Sequence, residues 1–241
     1  IRIFMPRFGV INERRHQLHE VIRLSGMNLV INDVDMPLII KVASIPKERM
    51  QVYFIDNDEY FKRRAILRDE NEKLFDDNDE RMIFFTKGVI ETVKKLGWAP
   101  QIIHCQGWFS SLVPMYIKKI YNEDPLFKDT KVIFNVFDTK FKGSLDLGII
   151  DKLLFENKLE KADLSDLHDP TYENLSKFAI NYSDAVIQGS KNINSKVLQH
   201  INDCDLPFMD YPGDENYESK YNNFFDTLVE VEELELTEEE S

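Results

Sequence analysis

The stretch "APQIIHCQGWFSSLVP", residues 99–114, holds the densest group of chemically able side chains. An apolar run, Ile102-Ile103, ends in His104, Cys105, Gln106, Gly107 and Trp108. A histidine can move a proton, an amide can orient a polar group, and an indole can stack on a ring face. In an open α/β sheet such residues matter at the carboxyl ends of strands. Two more strand ends carry polar groups. "VFDTKFKG" offers Asp138, Lys140 and Lys142, and "IQGSKN" offers Gln188, Gly189, Ser190 and Lys191. Gly107 and Gly189 each precede a helical stretch, where a free N–H can meet an anion. Ordinary turn chemistry explains both glycines as readily. By residue type alone His104 reads equally as a satisfied core histidine and Trp108 as a packing residue.

Weaker groups are set aside by their spacing. His16 and His19, with Glu20, lack further ligands for a metal, and a surface helix is the better reading. Asp76, Asp77, Asp79 and Glu80 lack the glycine that a calcium loop turns on. Cys105 next to His104 is not a nucleophile–base pair, because strand neighbours face opposite ways. No Gly-x-Ser-x-Gly elbow, P-loop or dinucleotide fingerprint occurs.

The elements that position these residues follow from the hydrophobic pattern. Strands are expected at "IRIFMP" and over 28–32, 38–43, 51–56, 102–105, 131–137 and "DAVIQGS". Residues 79–96 place Ile83, Val89, Ile90, Val93 and Leu96 near one helical face. Asp77, Asn78 and Asp79 stand as caps, and Lys94 and Lys95 at the far end. Further helices are expected over 107–121, 172–182 and from Ser190 to about 201. The alternation in the second half predicts a parallel sheet covered on both faces. In "DENYESKYNNFFDTLVEVEEL", Tyr217, Tyr221, Phe224, Phe225 and Leu228 form one stripe that should lie on a body.

Composition bounds the setting. The chain has 241 residues, 43% hydrophobic and 30% charged, as a globular protein does. Its two cysteines, Cys105 and Cys204, give no disulfide framework, which fits a reduced, cytoplasmic setting. The net charge of −13 argues against nucleic acid and anionic membrane as partners, and no apolar run is long enough to span a bilayer. Residues 228–241 carry seven glutamates and no basic residue, an acidic tail expected to be solvated and disordered. Ile1 falls inside what reads as a strand, so further residues are expected upstream.

The blocks "IRIFMPRFG", "VYFIDNDEYFKR", "DNDERMIFFTKGVIE", "LGWAPQIIHCQGWFSSLVPMYIK", "KVIFNVFDTKFKG" and "FAINYSDAVIQGS" occur in the order of those of bacterial glycogen and starch synthases. The chain resembles the amino-terminal catalytic half of these ADP-glucose-using glucosyltransferases over residues 1 to about 202. The resemblance implies an α/β fold: a single Rossmann-like parallel-sheet domain, half of a GT-B enzyme, with a carboxyl-terminal helix packed back on it. It implies a body at 1–202, a linker and crossover helix at 203–229, and the acidic tail at 230–241. The implied sugar cleft gathers Asp77, Asn78, His104, Gln106, Gly107, Trp108 and Asp138. No metal and no resident cofactor are implied; ADP-glucose is the family's donor substrate.

Three departures from the family pattern bear on function. The Lys-Thr-Gly-Gly-Leu loop would lie upstream of Ile1. The family's His-x-His-Asp-Trp reads His104-Cys105-Gln106-Gly107-Trp108, so its active-site histidine is Gln106 and its aspartate Gly107; its His-Asn likewise reads Phe137-Asp138. Only about 40 residues follow Ile201, too few for the donor-holding second domain. The expected function is therefore a synthase-like protein without free-standing transferase activity. The alternatives are a glucan- or nucleotide-binding module and a structural subunit, meeting a protein partner through the exposed cleft face or the acidic tail.

Overall fold

The computed structural model describes residues 1–45, 47–155 and 158–239. The chain divides into two compact units, Ile1–Trp98 with Leu145–Lys161, and Ala99–Ser144 with Ala162–Ser241.

The first unit is built on a mixed sheet. Its strands are β1 (Arg2–Pro6), β2 (His19–Glu20), β3 (Met27–Ile31), β4 (Val34–Ile45) and β5 (Met50–Asp56). β1 runs parallel to β5, while β4 is antiparallel to β2, β3 and β5. Parallel strands need a long crossover, and here short connections impose hairpins. The β3–β4 link is the two residues Asn32 and Asp33, with φ of 50° and 62°. That is the left-handed pair of a type I′ turn, whose twist suits a hairpin. β2 also replaces the helix expected around His16 and His19; His19 pairs with Val42, and both histidines are exposed.

α1 (Asp58–Phe61) follows, capped by the Asn57 side chain. α2 (Asn78–Leu96) then buries Met82, Ile83, Phe84, Ile90 and Val93 in the unit's core, beside Leu38, Ile40 and Ile55 from the sheet. Arg81 is wholly buried in this core. Its Nη1 donates to Asn78 Oδ1 (2.6 Å) and its Nη2 to Ile66 O (2.7 Å), with Phe8, Phe61 and Phe75 around the cation. Burial pushes the guanidinium down to about 10.

The segment from the second half of the chain buries Ile149, Ile150 and Leu153 and brings one charge with them. In the helix Ile149–Leu154, Lys152 Nζ lies 2.6 Å from Asp79 Oδ2 and 3.0 Å from Glu80 Oε1. Burial pushes the Asp79 carboxyl up, and Lys152 opposes that. Asp79 is fully inaccessible. Removing only the lysine strands this carboxylate, so Lys152→Met should cost about 3 kcal/mol in urea unfolding. Lys152→Met/Asp79→Leu should recover most of that loss. Equal losses in the single and double variants would contradict the pairing.

The second unit contains the parallel sheet, in the order β6 (Ile102–Gln106), β7 (Lys131–Val136), β8 (Ala185–Gln188) and β9 (Phe208–Met209). The helices, with α4 belonging to the first unit, are α3 (Val113–Met115), α4 (Ile149–Leu154), α5 (Tyr172–Asn181), α6 (Ser195–Asp203) and α7 (Tyr217–Glu239). α3 and α5 pack on β7. α7 covers the face made by Ile133, Ala185 and Ile187, using Tyr221, Phe224, Phe225 and Leu228. Alternation turns Val132, Phe134 and Val136 away from α7, and all three are buried.

Four expectations need correction here. The helix expected over 107–121 is broken into a 3-10 turn at Trp108–Ser110, α3, and a π-helical turn at Tyr116–Ile120. Pro114 has no N–H to bond back to Ser110, so one continuous α-helix cannot form. Ser190 does not cap α6; Asn194 does, accepting from the N–H groups of Lys196 and Val197. Tyr217, expected within the docked stripe, is 48% exposed and meets the ring of Tyr221 edge to face. The backbone of α7 continues as helix to Glu239, through the stretch expected to be a disordered acidic tail. The side chains of 230–239 and all of 240–241 lie outside the described residues.

Candidate functional site

β6, β7 and β8 bring the three singled-out strand ends side by side. Gln106 pairs with Asn135 and Val136 with Gln188, so the residues that follow share one edge of the sheet. Gln106 is exposed there. Gly107 turns the chain with φ 71° and ψ 172°, a region open in practice only to glycine. A Cβ would meet nothing nearer than Thr139 Oγ1 at 3.8 Å, so the requirement comes from the backbone and not from space.

Trp108 is buried and meets Phe141 edge to face, with centroids 4.8 Å apart. Phe141 in turn meets Tyr172, whose hydroxyl donates to Phe137 O. These three rings brace the 137–144 loop. Asp138 is exposed on that loop, with Lys140 Nζ 3.4 Å from its carboxylate. The Asp138 N–H donates to Ser190 Oγ (3.0 Å), which ties the β7 end to the β8 end. Gln188 Nε2 donates to the carbonyls of Ser190 and Lys191 and fixes the second loop.

Neither glycine offers its N–H to an anion. Gly107 N–H donates to Asn135 O (3.0 Å), and Gly189 N–H to Val136 O (2.8 Å). Both extend the sheet by one bond, which a parallel neighbour allows. At Gly189 a Cβ would lie 2.2 Å from Asn135 Oδ1, so this position is closed by contact.

His104 does not reach this edge. It stands on the face that α7 covers, against the rings of Tyr221 and Phe225 at 5.8 and 5.5 Å. Burial pushes its pKa down to about 4. Its Nε2 is buried without a hydrogen-bond partner among the described residues, so a satisfied core histidine is not what is found. Burial raises the Cys105 thiol far out of the nucleophilic range. The free thiols are Cys105 and Cys204.

Asp77 and Asn78 belong to the first unit. Asp77 pairs with Arg63, and the fully buried Asn78 donates to Leu67 O (2.9 Å) and accepts from Arg81. Their polar groups are engaged in holding α2. The residue that sequence reading passed over is Asn135, buried near the carboxyl end of β7, whose Nδ2 donates to Tyr221 Oη (2.9 Å). A polar residue inside the otherwise apolar "VIFNVF" was the available signal. No cluster of metal-ligating residues and no helix long and apolar enough to cross a membrane occurs among the described residues.

The edge presents amide, hydroxyl, ammonium and carboxylate groups beside an aromatic floor. Such a set can bind sugar hydroxyls. The chain is 39% identical to a glycogen synthase of Chlorobium limicola over 156 residues, covering 64% of this chain and 32% of that protein. A glycogen synthase of Chlorobaculum parvum is 35% identical over 191 residues, with 71% and 39% covered. The chain thus spans about a third of the length of the curated relatives it matches. Among solved structures, the catalytic domain of starch synthase IV from Arabidopsis thaliana, bound to ADP and acarbose, superposes with a TM-score of 0.68. It is 17% identical and covers 87% of this chain and 43% of that one. The family described as the starch synthase catalytic domain matches residues 1–207. The chain belongs to the starch synthase catalytic domain family.

Proposed function

We propose that this chain is a glycogen/starch synthase-like domain that binds glucan at the carboxyl edge of β6, β7 and β8 without transferring glucose by itself. The carrying observation is the β6 end. Gln106 can orient a hydroxyl but cannot exchange a proton, and His104 is held neutral beneath α7. Transfer of the family's type also needs preorganised charge around a departing diphosphate. The acarbose bound by the starch synthase IV domain supports a sugar ligand. In this reading residues 1–202 form the body and 203–229 a linker and crossover helix. ADP-glucose is a donor the chain does not use alone, and the free thiols fit a cytoplasmic setting.

Glycogen in an affinity gel should retard the purified chain, while labelled ADP-glucose gives no incorporation into glycogen. Gln106→Ala should weaken the retardation roughly tenfold or less, as for loss of one or two neutral hydrogen bonds. Incorporation by the purified chain, or migration indifferent to glycogen, would refute the proposal.

A further inference from the structure

Tyr217 opens the aromatic stripe of α7 and stays half open to solvent. It is 48% exposed and meets the ring of Tyr221 edge to face, with centroids 6.4 Å apart. A tyrosine joins an apolar ring to a polar tip, which suits it to a ligand that is itself part apolar and part polar.

The direction of α7 places this ring. Tyr221 accepts from Asn135, the fifth of the six residues of β7. Phe225, one turn later, lies against His104, whose partner in β7 is Ile133, two residues before Asn135. α7 therefore runs from the carboxyl edge of the sheet towards the amino ends, opposite to the strands. Tyr217, one turn before Tyr221, stands at the carboxyl edge. The chain that enters α7 agrees with this. β9 is parallel to β8, so Met209 ends at the same edge, and residues 210–216 link it to Tyr217. Lys220 Nζ donates to Pro212 O and ties the first turn of α7 to that link.

Gln106 faces the same way. It is the register partner of Asn135, and side chains of paired residues share a face of the sheet. Yet Gln106 is exposed, so α7 begins without covering it. An amide and a half-exposed aromatic ring thus stand on the same side of one sheet edge. A glucose ring carries hydroxyls around its rim and C–H groups on its faces. Its rim suits the amide and its face suits the π-surface.

We infer that Tyr217 is a stacking residue of the glucan-binding edge, packing its ring on a glucose face while Gln106 holds hydroxyls of the same chain. The inference rests on the glucan reading and adds a chain-length preference to it. Two contacts on separate elements favour a ligand that reaches both at once, so a linear oligosaccharide binds more tightly than free glucose.

Isothermal titration with maltoheptaose and with glucose tests it. The parent should bind maltoheptaose more tightly than glucose. Tyr217→Ala should weaken maltoheptaose about fivefold to tenfold and narrow its advantage over glucose. Because the ring is half open to solvent, this variant should melt near the parent. Tyr217→Phe keeps the ring and should bind maltoheptaose as the parent does. An unchanged preference in Tyr217→Ala, or a loss in Tyr217→Phe as large as in Tyr217→Ala, overturns the stacking role and leaves the Gln106 edge standing. A parent that binds neither maltoheptaose nor glycogen overturns the glucan reading, and this inference with it.

Discussion

Restoring the family residues at the β6 end, as Gln106→His/Gly107→Asp, should yield no glucosyltransferase and a less stable protein. The destabilisation comes from position 107. Its φ of 71° and ψ of 172° lie where a Cβ-bearing residue is strained by about 1–3 kcal/mol. Space is not the obstacle, since the nearest atom to an added methyl would be 3.8 Å away. Gly107→Ala should therefore lose as much in urea unfolding as Gly107→Asp. Gln106→His alone should melt near the parent, because Gln106 is exposed. A neutral Gly107→Ala would refute the backbone argument. The two departures from the family motif are thus unequal. At 106 a functional group has been exchanged on a backbone that accepts either residue. At 107 the turn itself has a geometry that the family's aspartate would disfavour.

That difference marks how far the sequence could be read. The strands around "IIHCQGW" and "KVIFNVF" were legible because short apolar runs between turn residues have few other solutions. The parallel order of β6, β7 and β8 followed from helices alternating with them. The dihedral angles of Gly107 were not legible, since a glycine before a helical turn is compatible with several turn types. Nor could sequence reveal that the N–H groups of Gly107 and Gly189 are spent on Asn135 and Val136. That depends on which strand lies next door. Asn78 looked like a helix cap, yet its amide is buried between Leu67 and Arg81. The Asn135–Tyr221 hydrogen bond spans 86 positions. Only the aromatic stripe of α7 hinted at it, and nothing in the stripe named the strand beneath.

Truncating the covering face, as Tyr221→Ala/Phe225→Ala, should cost about 4 kcal/mol. Half-buried Phe225 contributes less than the ~3–5 kcal/mol of a fully buried phenylalanine. Stranding the Asn135 amide adds ~1–3 kcal/mol. Tyr221→Phe isolates that second part, because the ring contacts with His104 and Phe225 remain. The same face sets a pH dependence. The folded pKa of His104 is about 4, against 6.5 for the free side chain. Between those values the unfolded chain binds a proton that the folded one refuses, so stability rises with pH across the window. His104 makes its full contribution above pH 6.5 and loses it as pH falls towards 4, by on the order of 3 kcal/mol. Carboxylates ordinarily titrate in the lower part of the same pH range, so the measured quantity is the parent minus His104→Leu. Tyr221→Ala/Phe225→Ala should flatten that difference and return the imidazole resonance to a midpoint near 6.5. A midpoint that stays near 4 would mean that β6 and its neighbours bury His104 without α7. The helix would then be a passenger on the sheet, and not the element that keeps this histidine neutral.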